Sequence, residues 1–258
     1  MPVNPTDPTD SAPAEGPAFY SRPTFLRQPR LQQWWTLLHP PYTMLHLSLV
    51  VIGACLAGPV NAVKLVATVA AFLFAVGVGA HALDELHGRP LRTTIPTTHL
   101  IAAALVGLGA AVTLGIIGMF VTSDYLVLFI AVGVALAVFY NLELFGGRLH
   151  TPVVMALGWG AFPILTAYFA QHDALSISAV IVAGFGALFT RLQQLLSTPA
   201  RALRRNTQSV EGSIVRLDGT PVPITQASML QPLERSLKTL CWAGVVLATG
   251  LLVLRFHP

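Results

Sequence analysis

The chain has 258 residues, of which 54% are hydrophobic and only 10% charged, where a soluble domain carries about 25% charged residues. That balance excludes an ordinary water-soluble globule and describes a polytopic membrane protein whose single helical bundle takes up most of the length. The net charge of +4 is spread thinly over the polar segments, which excludes a nucleic-acid-binding patch and fits loops facing an anionic leaflet.

Residues 1–30 are expected to form a disordered cytoplasmic tail. The first 21 are rich in Pro, Thr, Ala and acids, and they lack the basic stretch and apolar core of a signal peptide. Within 22–41, Arg22, Arg27 and Arg30 precede Trp34-Trp35 and His39-Pro40-Pro41, the pattern of an amphipathic segment at the membrane surface. Apolar runs then predict an all-α transmembrane helical bundle over 31–258. Its seven spans lie near 42–58, 64–83, 99–120, 124–145, 152–170, 174–190 and 238–254, with a cytoplasmic loop over 191–237. Cys55 and Cys241 fall inside apolar runs and are expected to be unbonded.

Seven spans with the N-terminus inside put every Lys and Arg except Lys64 and Arg255 on the inner side, a strong positive-inside bias. The expected location is therefore the plasma or inner membrane, multi-pass, with a cytoplasmic N-terminus. Polar residues also gather at the inner ends of the spans: His39 and His46 at the first, Tyr140, Asn141 and Glu143 at the fourth, Arg191 and Gln193 at the sixth. A polar mouth over an apolar body suits an amphiphile with a charged head and a hydrocarbon tail.

The densest chemistry lies at the inner end of the second span, His81-Ala-Leu-Asp-Glu-Leu-His-Gly-Arg-Pro-Leu-Arg92. Charge near a bilayer is expensive, so such a cluster marks a candidate site. His81, Asp84, Glu85 and His87 are candidate metal ligands, with Asp84 and Glu85 as the catalytic carboxylates. Arg89, Arg92 and Arg148 are candidate phosphate ligands, with Tyr140 and Asn141 as further lining residues. The competing reading is a solvated helix end with a capping network. Arg201-Ala-Leu-Arg-Arg205 reads first as a basic interfacial segment and second as a diphosphate clamp, and Trp159 between Gly158 and Gly160 as helix packing. No triad, P-loop or dinucleotide fingerprint is present.

An apolar span, an acidic cluster with Arg-Pro-Leu and a further span resemble the UbiA superfamily of intramembrane prenyltransferases. In that family an Asn-Asp-x-x-Asp-x-x-x-Asp motif ends the second helix. Trp34–Thr43 resembles the family's entrance to its first helix, and Leu157-Gly-Trp-Gly-Ala-Phe-Pro163 its fifth helix. The resemblance implies a prenyl-diphosphate or other isoprenoid lipid as partner, Mg2+ as cofactor, a metal-diphosphate role for Asp84 and a phosphate role for Arg89. Ala80, His81 and Gly88 stand where the family has Asn, Asp and Asp, and no acid lies between Arg191 and Glu211 where its second motif falls. A magnesium-dependent prenyltransferase and a non-catalytic relative that binds an isoprenoid or quinone, or acts as an assembly subunit, are therefore both carried forward. The sequence leaves the oligomeric state open.

Overall fold

A computed structural model describes residues 16–21 and 23–256. It is mostly helical, 72%. In chain order, α1 spans Pro29–Leu37 and α2 Pro40–Leu56. Helices α3 (Ala62–Leu86), α4 (Thr97–Val121), α5 (Leu126–Asn141), α6 (Pro152–His172), α7 (Ile177–Arg205) and α8 (Gln226–Phe256) follow. A two-stranded antiparallel hairpin, β1 (Ser213–Val215) and β2 (Pro221–Pro223), lies between α7 and α8.

Among the described residues, six helical segments are long and apolar enough to cross a membrane, α1 and α2 counting as one. Helix α5 is a shorter apolar helix of 16 residues, roughly 24 Å long at 1.5 Å per residue. It stops before the expected end at 145 because Glu143 and Phe145 adopt left-handed backbone, with φ of 47° and 60°. The pattern fits a multi-pass membrane protein. Large apolar side chains such as Leu105, Phe120, Ile181, Leu188 and Trp242 are exposed on the outside of the bundle, as helices facing lipid require.

Helix α2 is the hub. It packs on α6 and α8, while α7 packs on α6 and α8, and α3, α4 and α5 form the other half. Leu45, Leu49 and Ile52 of α2 meet Ile164, Ala183 and Cys241 in the main core. Small residues permit the closest crossings: a Cβ at Gly160 would overlap the Gly186 carbonyl, and one at Gly107 would press on the backbone of Gly79.

Asn61 and Gln171 exchange hydrogen bonds at 2.9 and 3.2 Å, and Thr122 donates to the Ala170 carbonyl at 3.2 Å. These bonds gather the 57–61, 122–125 and 173–176 connections at one end. The opposite end holds the polar loops and residues 16–21.

Two expectations are corrected here. The tail expected over 1–30 is not disordered throughout: Tyr20 and Ser21 are buried, and the Trp35 indole and Thr36 hydroxyl donate to their carbonyls, each at 3.0 Å. Residues 1–15, the rest of that expectation, and Arg22 lie outside the described residues. The loop expected over 191–237 is mostly helix, because Leu196, Leu203, Leu230, Leu233 and Leu237 recur at helical spacing and close on Ala200. Arg204 and Glu234 pair across the same contact.

Candidate functional site

The break between α1 and α2 comes from sequence. Pro40 and Pro41 have no N–H to continue a helix, and the residue before a proline is kept out of the α region. His39 there takes left-handed backbone, φ 45° and ψ 54°, and its ring lies against that of His81, centroids 4.5 Å apart. The Tyr20 hydroxyl hydrogen-bonds His39 Nδ1. Burial, then the neighbouring Tyr42, hold the Tyr20 phenol well above its ordinary pKa, so it stays protonated. His39 Nε2 is buried and has no hydrogen-bond partner among the described residues.

Two stretches of wide, π-helical turn adjoin this point, Leu73–Ala80 and Leu157–Ala161. Such turns often mark functional places in a helix. Pro163 lacks the N–H that an α-helix would offer to the Trp159 carbonyl. His46 Nδ1 donates to that carbonyl instead, at 2.8 Å, and fixes the wall between α2 and α6.

These elements enclose a polar chamber of about 320 Å³ at the end of the bundle that carries the basic loops. His39, His46, His81, Asp84, His87, Tyr140, Asn141 and Glu143 line one side. Gln193, Ser197, Arg201, Arg204 and Arg205 of α7 line the other, with Pro17–Tyr20 along its edge. Glu143 lies 3.6 Å from His87 and 3.7 Å from His150 at the rim. The His150 ring stacks on Tyr140, and the Tyr140 ring meets Trp159 at a tilt, centroids 4.7 Å apart.

A second cavity of about 250 Å³ runs between α3, α4, α5 and α6, from Lys64 and Thr122 at one end to Ala80 and Trp159 at the other. Its walls are apolar in effect. Thr68 and Thr166 return their hydroxyls to carbonyls of their own helices, and Thr122 gives its hydroxyl to Ala170. Trp159 belongs to the walls of both cavities.

The structure divides the predicted site residues. His81, Asp84, His87, Tyr140 and Asn141 line the chamber. Glu85 does not: it is fully buried, and its carboxylate accepts from Leu91 N and Thr93 N at 2.9 Å and from the Thr93 hydroxyl at 2.8 Å. Arg89 folds back on its own loop, donating to the Ile95 carbonyl at 2.6 Å and to Thr97 at 2.9 Å. Arg92 donates to the Arg205 carbonyl at 3.2 Å, and Arg148 is exposed. Asp84 and Glu85 are thus a separated pair. No three His, Cys, Asp or Glu side chains among the described residues converge as ion ligands.

Arg201 and Arg205, read first as an interfacial segment, are chamber residues, and Trp159 is more than packing. Tyr20 sits in a low-complexity stretch that gives no periodic signal. Only the continuation of the apolar period past Arg191 could have shown that α7 carries its arginines back over the site.

No protein-family model matches this chain, and no curated protein or solved structure matches it.

Proposed function

We propose that this protein binds an isoprenoid-type amphiphile, with a phosphate-bearing head in the polar chamber and its tail in the apolar cavity, as a UbiA-like membrane protein. The observation that carries the reading is the shared wall at Trp159, which puts an arginine-lined chamber end to end with an apolar cavity. Arg201 and Arg205 supply planar donors suited to phosphate oxygens, and the buried His39 Nε2 offers one more polar contact. The positive-inside distribution supports a cytoplasmic-side position for this chamber.

Head recognition by arginine rather than by a cluster of carboxylates favours the non-catalytic, lipid-binding form of this reading. A prenyltransferase is the second reading, and Asp84 favours it: it lines the chamber, and its side chain has no hydrogen bond or ion pair among the described residues. Mass spectrometry of lipids that co-purify with the detergent-solubilised protein tests the proposal. An isoprenoid phosphate or quinone is the expected finding, and phospholipid alone would count against it. Incubation of a prenyl diphosphate with magnesium, or with chelator, separates the two readings: release of pyrophosphate only with magnesium marks the enzyme.

A further inference from the structure

The edge of the chamber is closed by the chain's own residues 16–21. Phe19 packs edge-on against Tyr20 and Tyr42 and lies under the Lys238 ammonium, 5.1 Å from the ring centroid. Trp35 and Thr36 hold the Tyr20 and Ser21 carbonyls from outside the chamber. Arg205 Nε donates to the Pro17 carbonyl at 3.1 Å, and an Arg204 nitrogen lies 3.5 Å from the Gly16 carbonyl while that guanidinium also pairs with Glu234. The main-chain oxygens of this strap therefore take arginine donors that an anionic head would use. The fifteen residues before it carry Asp7, Asp10 and Glu15 and no Lys or Arg, so the arm leading into the strap has the sign that the arginines attract.

We propose that residues 16–21 are an internal competitor for the chamber: a strap that occupies the arginines when the site is empty and is displaced when a phosphate-bearing head enters. This rests on the amphiphile reading above and adds a regulatory device to it. Besides those bonds, the buried Tyr20 hydrogen-bonds His39 and its ring meets His39 and Tyr42, so the strap is held by single hydrogen bonds and ring contacts, each individually weak and open to competition. A closed strap lowers the fraction of molecules competent to bind and weakens apparent affinity by that fraction. Loosening it from outside tightens binding without touching the site.

The test uses the full chain in detergent and inorganic pyrophosphate as the head alone. The double variant Trp35→Phe, Thr36→Val removes both outer hydrogen bonds and alters no chamber residue. It is expected to bind pyrophosphate about tenfold more tightly than the native chain. In the native chain, saturating pyrophosphate is expected to speed hydrogen exchange at the amides of 18–21, a readout that stands even if the variant fails to fold. Unchanged or weaker binding by the folded variant, or exchange that is unaltered or slowed, would show a fixed wall or a lid closing over the ligand. Either result overturns the competitor while leaving the amphiphile reading intact. Binding by neither protein would overturn the amphiphile reading, and the strap's role with it.

Discussion

Asp84 and Glu85 are neighbours in sequence with opposite jobs. Successive helical residues point about 100° apart, so one carboxylate can face the chamber while the other faces the loop below. Asp84 lines the chamber; Glu85 anchors the turn through Leu91 and Thr93. Glu85→Ala would leave the buried Leu91 N–H and the part-buried Thr93 N–H without an acceptor, a loss of about 1–3 kcal/mol, and is expected to lower the melting temperature markedly. Asp84→Asn changes a charge on a wall and is expected to leave melting within a few degrees while altering prenyl-diphosphate binding. The reverse pattern, read by thermal unfolding and by binding on the same samples, would exchange their roles. The sequence showed a dense cluster at the end of α3 but not which acid faced inward, because the phase of that last turn depends on the wide π-helical stretch before it. Arg89 was misleading for a related reason. Its own φ of 53° closes a loop in which the guanidinium finds carbonyl partners before it can reach a ligand.

At the scale of the helices, the spans were legible and their ends were not. Hydrophobic runs locate segments that must be buried in lipid, but α7 and α8 continue beyond them on an amphipathic stripe. With 29 and 31 residues they are roughly 43 and 46 Å long, more than a hydrocarbon core of about 30 Å requires. The excess is what carries Arg201, Arg204 and Arg205 over the chamber. Where α6 and α7 cross, Gly160 and Gly186 leave no space for a side chain. Gly160→Ala is expected to destabilise by about 1–3 kcal/mol, the range for overpacking, and to disturb the chamber through Trp159. Gly109→Ala, where an added Cβ meets nothing, is the matched control, expected to be neutral or slightly stabilising. Equal melting temperatures for the two variants would contradict this crossing. The apolar cavity can be tested at the same scale. Ala111→Phe places a ring in its wall and is expected to weaken a long-chain prenyl diphosphate at least tenfold while sparing inorganic pyrophosphate. Equal loss for both ligands would argue against separate head and tail compartments.

The whole molecule is polar and basic at one end and apolar along most of its length. Arg255 at the end of α8 donates to the Cys55 carbonyl at 2.8 Å, while Cys241 stands fourteen residues earlier on α8, roughly 21 Å along its axis. The two thiols are buried and unbonded, as their places in the apolar runs led us to expect. Reporter fusions after residues 61, 122 and 172 are expected to read outside, and those after 92, 148 and 215 inside. An inside reading at 172 with outside readings at 61 and 122 would contradict the arrangement, since hydrogen bonds hold these three connections together at one end. The charge asymmetry that orders the loops was plain in the sequence. The coincidence of chamber and cavity at Trp159 was not, because it depends on α2, α3, α5 and α6 meeting at one residue. Photo-crosslinking reports on whether one ligand occupies chamber and cavity together. A prenyl diphosphate bearing a diazirine at the far end of its tail is bound to the purified protein, irradiated and mapped by peptide mass spectrometry. Labelling is expected on α3 between 63 and 80 and on α4 between 108 and 121, suppressed by an unlabelled prenyl diphosphate. Labelling spread over the lipid-facing surfaces of α7 and α8, with no such suppression, would contradict it.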